Sequence, residues 1–117
     1  MSKSVLIVDD SLVSRMMIKE IIASRHPDWD FVQAKDADDA VKLSEGKQFD
    51  LITLDLNMPG RTGLEIASEL IELHPNARIA LMTANIQTSV KEHAEELGLK
   101  FVTKPITEES VLDFVES

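Results

Sequence analysis

The stretch Val5-Leu6-Ile7-Val8-Asp9-Asp10 holds four consecutive apolar residues and stops on two aspartates. A strand covered on one face alternates apolar and polar residues. A strand covered on both faces has no polar side to present, so an unbroken apolar run is what it requires. Phe31-Val32, Leu51-Ile52-Thr53-Leu54, Ile79-Ala80-Leu81-Met82 and Phe101-Val102 extend the pattern, with β-branched residues frequent among them. The five runs predict a parallel sheet buried between two layers.

Helical spacing fills the intervals: Val13, Met17 and Ile21; Ala37, Ala40, Val41 and Ser44; Leu64, Ala67, Ile71 and His74; Val90, Ala94 and Leu97; Val111, Leu112 and Val115. The punctuation agrees. Asp36 and Thr62 suit N-caps, Thr62 with Glu65 and Ser89 with Glu92 have capping-box spacing, Gly98 suits a left-handed C-terminal position, and Pro27 and Pro75 close two helices. Five βα units with right-handed crossovers predict an α/β three-layer sandwich. Its five-stranded parallel sheet would have the order 2-1-3-4-5 and be flanked by five helices, the flavodoxin-like arrangement.

At 117 residues, 44% hydrophobic and 28% charged, the chain has the size and composition of one domain with its own core. Twelve basic against 21 acidic residues give a net charge of −9, which repels a phosphate backbone, so no direct nucleic-acid partner is expected. The absence of cysteine removes disulfides, thiolate chemistry and Cys-ligated zinc. No apolar run approaches a membrane span, and Met1-Ser2-Lys3-Ser4 opens no signal-peptide hydrophobic segment; no membrane partner and a cytoplasmic location are the expectations.

In a sheet of this order, ligands bind beyond the carboxyl ends of the strands, where the winding reverses between the first and third. The residues there are Asp9-Asp10 after the first strand, Asp55 after the third, Thr83 after the fourth and Lys104-Pro105 after the fifth. Taken singly, an aspartate is a helix cap, a threonine a turn residue and a lysine a surface charge. The strand order makes these positions neighbours, and their convergence calls for a common cause. Two carboxylates about 5 Å apart repel by roughly 3 kcal/mol at an effective dielectric near 20. Three aspartates and one lysine leave two negative charges, which one divalent cation neutralises. All-oxygen donors without His or Cys select magnesium, with manganese as the substitute, over zinc or copper. A carboxylate beside such a cation can act as a nucleophile toward phosphorus, and Asp55, flanked by the other groups, is the candidate, with Asp9 and Asp10 holding the metal.

An acidic pair after the first strand, Asp55-Leu56-Asn57-Met58-Pro59-Gly60 with Gly63-Leu64-Glu65 after the third, Thr83-Ala84 after the fourth and Lys104-Pro105 after the fifth together resemble the response-regulator receiver domain. The resemblance runs from Val5 to Val115 and implies that residues 1–117 form one receiver domain. It further implies that Asp55 accepts a phosphoryl group from the phosphohistidine of a histidine kinase or phosphotransfer protein. Asp10, Asp55 and the Asn57 backbone carbonyl would ligate magnesium, and Asp9 would act through a metal-bound water. Thr83 would bond the phosphoryl and draw in the loop that begins at Ala84, while the aromatic at Phe101 moves into the vacated space. The fourth helix, fifth strand and fifth helix would present the result to a downstream protein or effector domain. The resemblance also implies a cis Lys104-Pro105 bond. Phe101 stands where many chemotaxis relatives carry Tyr, so no hydroxyl can hold it outward, and core packing is its alternative role.

Other functions fit the residues less well. Gly46-Lys47 lacks the glycine a phosphate-binding P-loop needs five positions before Gly46, where Val41 stands, and no G-x-G-x-x-G follows a strand. An aspartate-nucleophile phosphatase would want its two acids two residues apart, and a flavin phosphate would be repelled by Asp9 and Asp10. The chain would then be a phospho-accepting switch, not a turnover enzyme; the alternative is a receiver that no longer cycles phosphate and serves as a protein-binding scaffold. His26, His74 and His93 have no ligand-spaced partner and are surface or packing residues. Met16, Met17, Met58 and Met82 are gap-filling apolar residues. Glu92, Glu95 and Glu96 form a solvated helix face. Trp29, in the turn before the second strand, sits at the far end of the sheet from the aspartates.

Overall fold

The computed structural model describes residues 2–58, 60–84 and 87–116. Strands and helices alternate as β1 (Ser4–Val8), α1 (Leu12–Arg25), β2 (Asp30–Ala34), α2 (Ala37–Ser44), β3 (Leu51–Asp55), α3 (Gly63–Leu73), β4 (Arg78–Thr83), α4 (Thr88–Glu96), β5 (Lys100–Thr103) and α5 (Glu108–Glu116). All pairings are parallel and the order is β2-β1-β3-β4-β5, as the apolar runs predict.

The pleat divides the core in two. Val5, Ile7, Leu51, Ala80 and Met82 face α1 and α5, against Ile18, Ile22, Val111, Phe114 and Val115. Leu6, Val8, Ile52, Leu54 and Leu81 face the other layer, against Ala37, Ala40, Ile66, Ala67, Leu70 and Ala94 of α2, α3 and α4. The strands of the middle are buried on both faces, which explains their unbroken apolar runs.

Caps form at the predicted places in α2 and α3: Asp36 accepts the Asp39 N–H, and Thr62 with Glu65 forms a complete capping box. Gly98 has φ +80°, the left-handed conformation that closes α4. The Ser89–Glu92 box does not form, because α4 begins two residues earlier than a Ser89 cap requires, at Thr88, with Gln87 as N-cap and no side-chain cap hydrogen bond. His74 is the residue capping the C-terminus of α3 and is buried.

The buried face of α1 is also corrected. Val13 and Met17 are 67% and 42% exposed, and Ile18 and Ile22 are the buried residues. Met16-Met17-Ile18 and Ile21-Ile22 place apolar residues side by side, so helical spacing fits two faces one residue apart. Met16 and Met17 therefore do not fill gaps in the core as Met58 and Met82 do; with Leu12 and Val13 they make an exposed apolar stripe on the first two turns.

Candidate functional site

Strand register assembles the carboxyl edge. Val8 pairs with Leu54, so the next residue, Asp9, arrives beside Asp55. Asp55 pairs with Met82, one residue before Thr83; Thr83 pairs with Thr103, one residue before Lys104. The Lys104 N–H continues the ladder by donating to the Thr83 carbonyl at 2.9 Å.

The side chains converge as well. Asp9, Asp10 and Asp55 each offer a carboxylate oxygen within 4.8 Å of the others. The Lys104 ammonium stands 3.0 Å from Asp55 Oδ1 and 3.5 Å from Asp9 Oδ2. Asp9 and Asp55 are buried, as is Thr83, whereas Asp10 is exposed. Burial pushes the Asp55 carboxyl above its usual range; the Lys104 hydrogen bond works against this, and the Asp9 and Asp10 charges add to it. Burial alone would lower Lys104, yet its hydrogen bond to Asp55 and the charges of Asp55 and Asp9 hold it above its usual value. Three carboxylates outnumber one ammonium, and the imbalance matches the oxygen donor set of a hard divalent cation.

The loop between β3 and α3 is held by backbone. Leu56 N–H donates to Met82 O at 3.2 Å, and Gly63 N–H to Leu56 O at 2.9 Å. A Cβ on Gly63 would meet the Asp55 carbonyl oxygen at 2.4 Å, so only glycine lets α3 start directly against the end of β3. Asn57 is exposed in this loop, and Met58 is buried beneath it. Pro59 of the predicted motif lies outside the described residues, as do positions 85 and 86 of the loop beyond Ala84, which is itself exposed. Phe101 is half-buried, packed against the α2, α3 and α4 side of the core, and the Lys104-Pro105 bond is cis.

Two participants escaped the sequence reading. Arg15 donates from Nη1 to the Asp9 carbonyl at 2.7 Å and from Nε to Gln33 Oε1 at 3.1 Å. Ser11 caps α1, and its N–H donates to Asp9 Oδ1 at 2.8 Å. Ser11 directly precedes the helix and has an N-cap side chain, a signal available from sequence; Arg15 and Gln33, on different elements, offered none.

The chain is 34% identical over 113 residues to the chemotaxis protein CheY of Listeria monocytogenes, covering 95% of this chain and 93% of that one. The solved structure of chemotaxis protein CheY4 of Vibrio cholerae superposes with a TM-score of 0.87, covering 99% and 98% of the two chains; at 24% identity this likeness speaks to the fold. A CheX–CheY–BeF3–Mg2+ complex from Borrelia burgdorferi matches at 29% identity and TM-score 0.84, over 97% of this chain and 86% of that one. No helix among the described residues is long and apolar enough to cross a membrane. The response regulator receiver domain family matches residues 5–116, and the chain belongs to it: a receiver domain of two-component signalling.

Proposed function

We propose that Asp55 is the phosphoryl acceptor of this receiver, with Lys104 and Thr83 contacting the transferred group. The observation that carries this is the meeting of three carboxylates within 4.8 Å, the middle one paired with Lys104 at 3.0 Å. An Asp55 carboxylate oxygen attacks phosphorus of a partner's phosphohistidine whose second ring nitrogen has taken a proton from water, the P–N bond breaks with its electron pair going to the ring, and neutral imidazole leaves with that proton. The Lys104 ammonium, already on Asp55 Oδ1, follows the negative charge onto the phosphoryl oxygens.

Asp10, Asp55 and the Asn57 carbonyl would hold magnesium, or manganese in its place, with Asp9 acting through a bound water. Bound there, the cation neutralises charge gathering on the transferring oxygens. The donor is a histidine kinase or phosphotransfer protein. It meets the exposed apolar stripe Leu12, Val13, Met16 and Met17, which begins two residues after Asp10, as surface apolar patches of this kind mark contact sites.

The resulting phosphoryl biases the segment following Thr83 only through contacts that differ between two states, and Thr83 and Lys104 make them. The readout is a changed surface of α4, β5 and α5 for a downstream protein or effector domain. Residues 1–117 act as one receiver domain in this scheme. The test is intact-mass spectrometry after incubation with magnesium and a small acyl phosphate donor. One phosphoryl added to the wild-type chain, and none in EDTA, is the expected result; no addition beside a competent control would favour a protein-binding scaffold.

A further inference from the structure

We infer that Arg15 and Gln33 form a clamp that positions Asp10 for the cation, an inference that rests on reading the acidic cluster as a magnesium site. Asp10 is exposed, and among the described residues its carboxylate takes part in no hydrogen bond or ion pair. What aims it is therefore the backbone that carries it. The preceding residue is tied at every polar group: Asp9 N–H donates to the Ala34 carbonyl at 3.1 Å, Asp9 Oδ1 accepts the Ser11 N–H, and the Asp9 carbonyl accepts from Arg15 at 2.7 Å. That last bond fixes the plane of the peptide joining Asp9 to Asp10.

The fold explains why Arg15 can reach it. Helical side chains lean toward the N-terminus, so a long side chain on the first turn of α1 extends back over the loop before it. Gln33 pairs with Ile7 in the sheet and shares its face, the α1 side, where its amide oxygen receives the second guanidinium donor at 3.1 Å. A planar fork can serve both acceptors at once; an ammonium cannot span them. The Arg15 hydrogen bonds go to the Asp9 carbonyl and Gln33 and to none of the three carboxylates; it acts through Asp10, so it is a positioning residue.

Charge and position pull in opposite directions here. If Arg15 acted only as a nearby positive charge, removing it would tighten magnesium binding. If it positions Asp10, removing it weakens binding, by about tenfold as for outer-shell partners of metal ligands generally. Calorimetric titration of magnesium into the EDTA-stripped full chain separates the two, with thermal unfolding in EDTA as the control for folding.

Arg15→Gln should bind magnesium more weakly and Gln33→Leu should lose less. The double variant should bind no worse than Arg15→Gln, and Arg15→Lys, which keeps the charge and one donor, should recover part of the loss. Unchanged or tighter binding by Arg15→Gln overturns the clamp while leaving the functional reading intact. Should Arg15→Gln fail to fold, Gln33→Leu decides, because unchanged affinity there overturns the clamp equally. A wild-type chain that binds no magnesium would remove both the functional reading and the clamp.

Discussion

The two ends of the sheet handle polar groups in opposite ways. At the amino end most polar groups are matched, the buried His26 Nε2 being the exception among the described residues. His74 is buried with Nε2 2.9 Å from Ser44 Oγ, and its Nδ1 accepts the Phe49 N–H at 3.4 Å. Because Ser44 Oγ donates to the Ala40 carbonyl, it accepts from Nε2–H, and the ring is neutral. Asp50 accepts the Ser4 N–H at 2.8 Å, Lys47 pairs with Asp30 at 2.6 Å, and His26 stacks on Trp29 with ring centres 3.8 Å apart. At the carboxyl end, Asp9 and Asp55 share Lys104, and among the described residues Asp10 has no ion-pair partner. One end contributes stability; the other keeps an uncompensated charge that a cation and a phosphoryl group can use.

The largest effect expected from this contrast concerns Asp55. Magnesium at a hundred times its Kd should stabilise the wild-type chain by about 2.7 kcal/mol. Asp55→Asn removes one of the three crowded carboxylates, so in EDTA it should unfold at a higher temperature than wild type while losing most of the magnesium-dependent gain. Thermal melts with and without magnesium check this; an Asp55→Asn protein less stable than wild type in EDTA would mean that the Lys104 pair outweighs the repulsion.

A smaller effect belongs to the other end. Burial holds His74 below its usual 6.5, so the unfolded chain takes up a proton at a higher pH than the folded one. Stability is therefore complete above about 6.5 and falls as pH drops from there toward the lower folded value. His74→Leu should cost about 2 kcal/mol at pH 7 by leaving Ser44 and the Phe49 N–H without their partner, and should flatten the acid slope. Urea titrations across pH 5 to 8 read both; an unchanged slope in the variant would rule out His74 as its source.

These contrasts also explain what could be read before any coordinates. The sheet was legible because both-face burial leaves unbroken apolar runs, and the acidic cluster because it falls where those runs stop. The face of α1 was not, since adjacent apolar pairs satisfy two helical registers and only packing against β1 and α5 chooses Ile18 and Ile22. The partner of His74 lies 30 residues away on α2, and Gly63 is demanded by the Asp55 backbone, contacts that no local spacing encodes. Arg15 resembles any surface arginine until β2 brings Gln33 alongside.

Between the two ends lies Thr53, buried in mid-strand on the α1 and α5 side with a hydroxyl that has no hydrogen-bond partner among the described residues. Thr53→Val keeps the β-branched shape and should add about 1 kcal/mol, measured by urea denaturation; a loss would place a polar partner there. The smallest expected effect is none at all: Trp29, stacked on His26 before β2, should keep its fluorescence when magnesium is added, and strong quenching would place the cation or its consequences at the amino end.

The most direct test of the acceptor is borohydride trapping of the phosphorylated chain, which reduces an aspartyl phosphate to homoserine, followed by peptide mapping. Homoserine at position 55 alone, absent in EDTA and absent from Asp55→Asn, is the predicted result. Homoserine at position 9 or 10 in the wild-type chain, or the same yield elsewhere in Asp55→Asn, would contradict it.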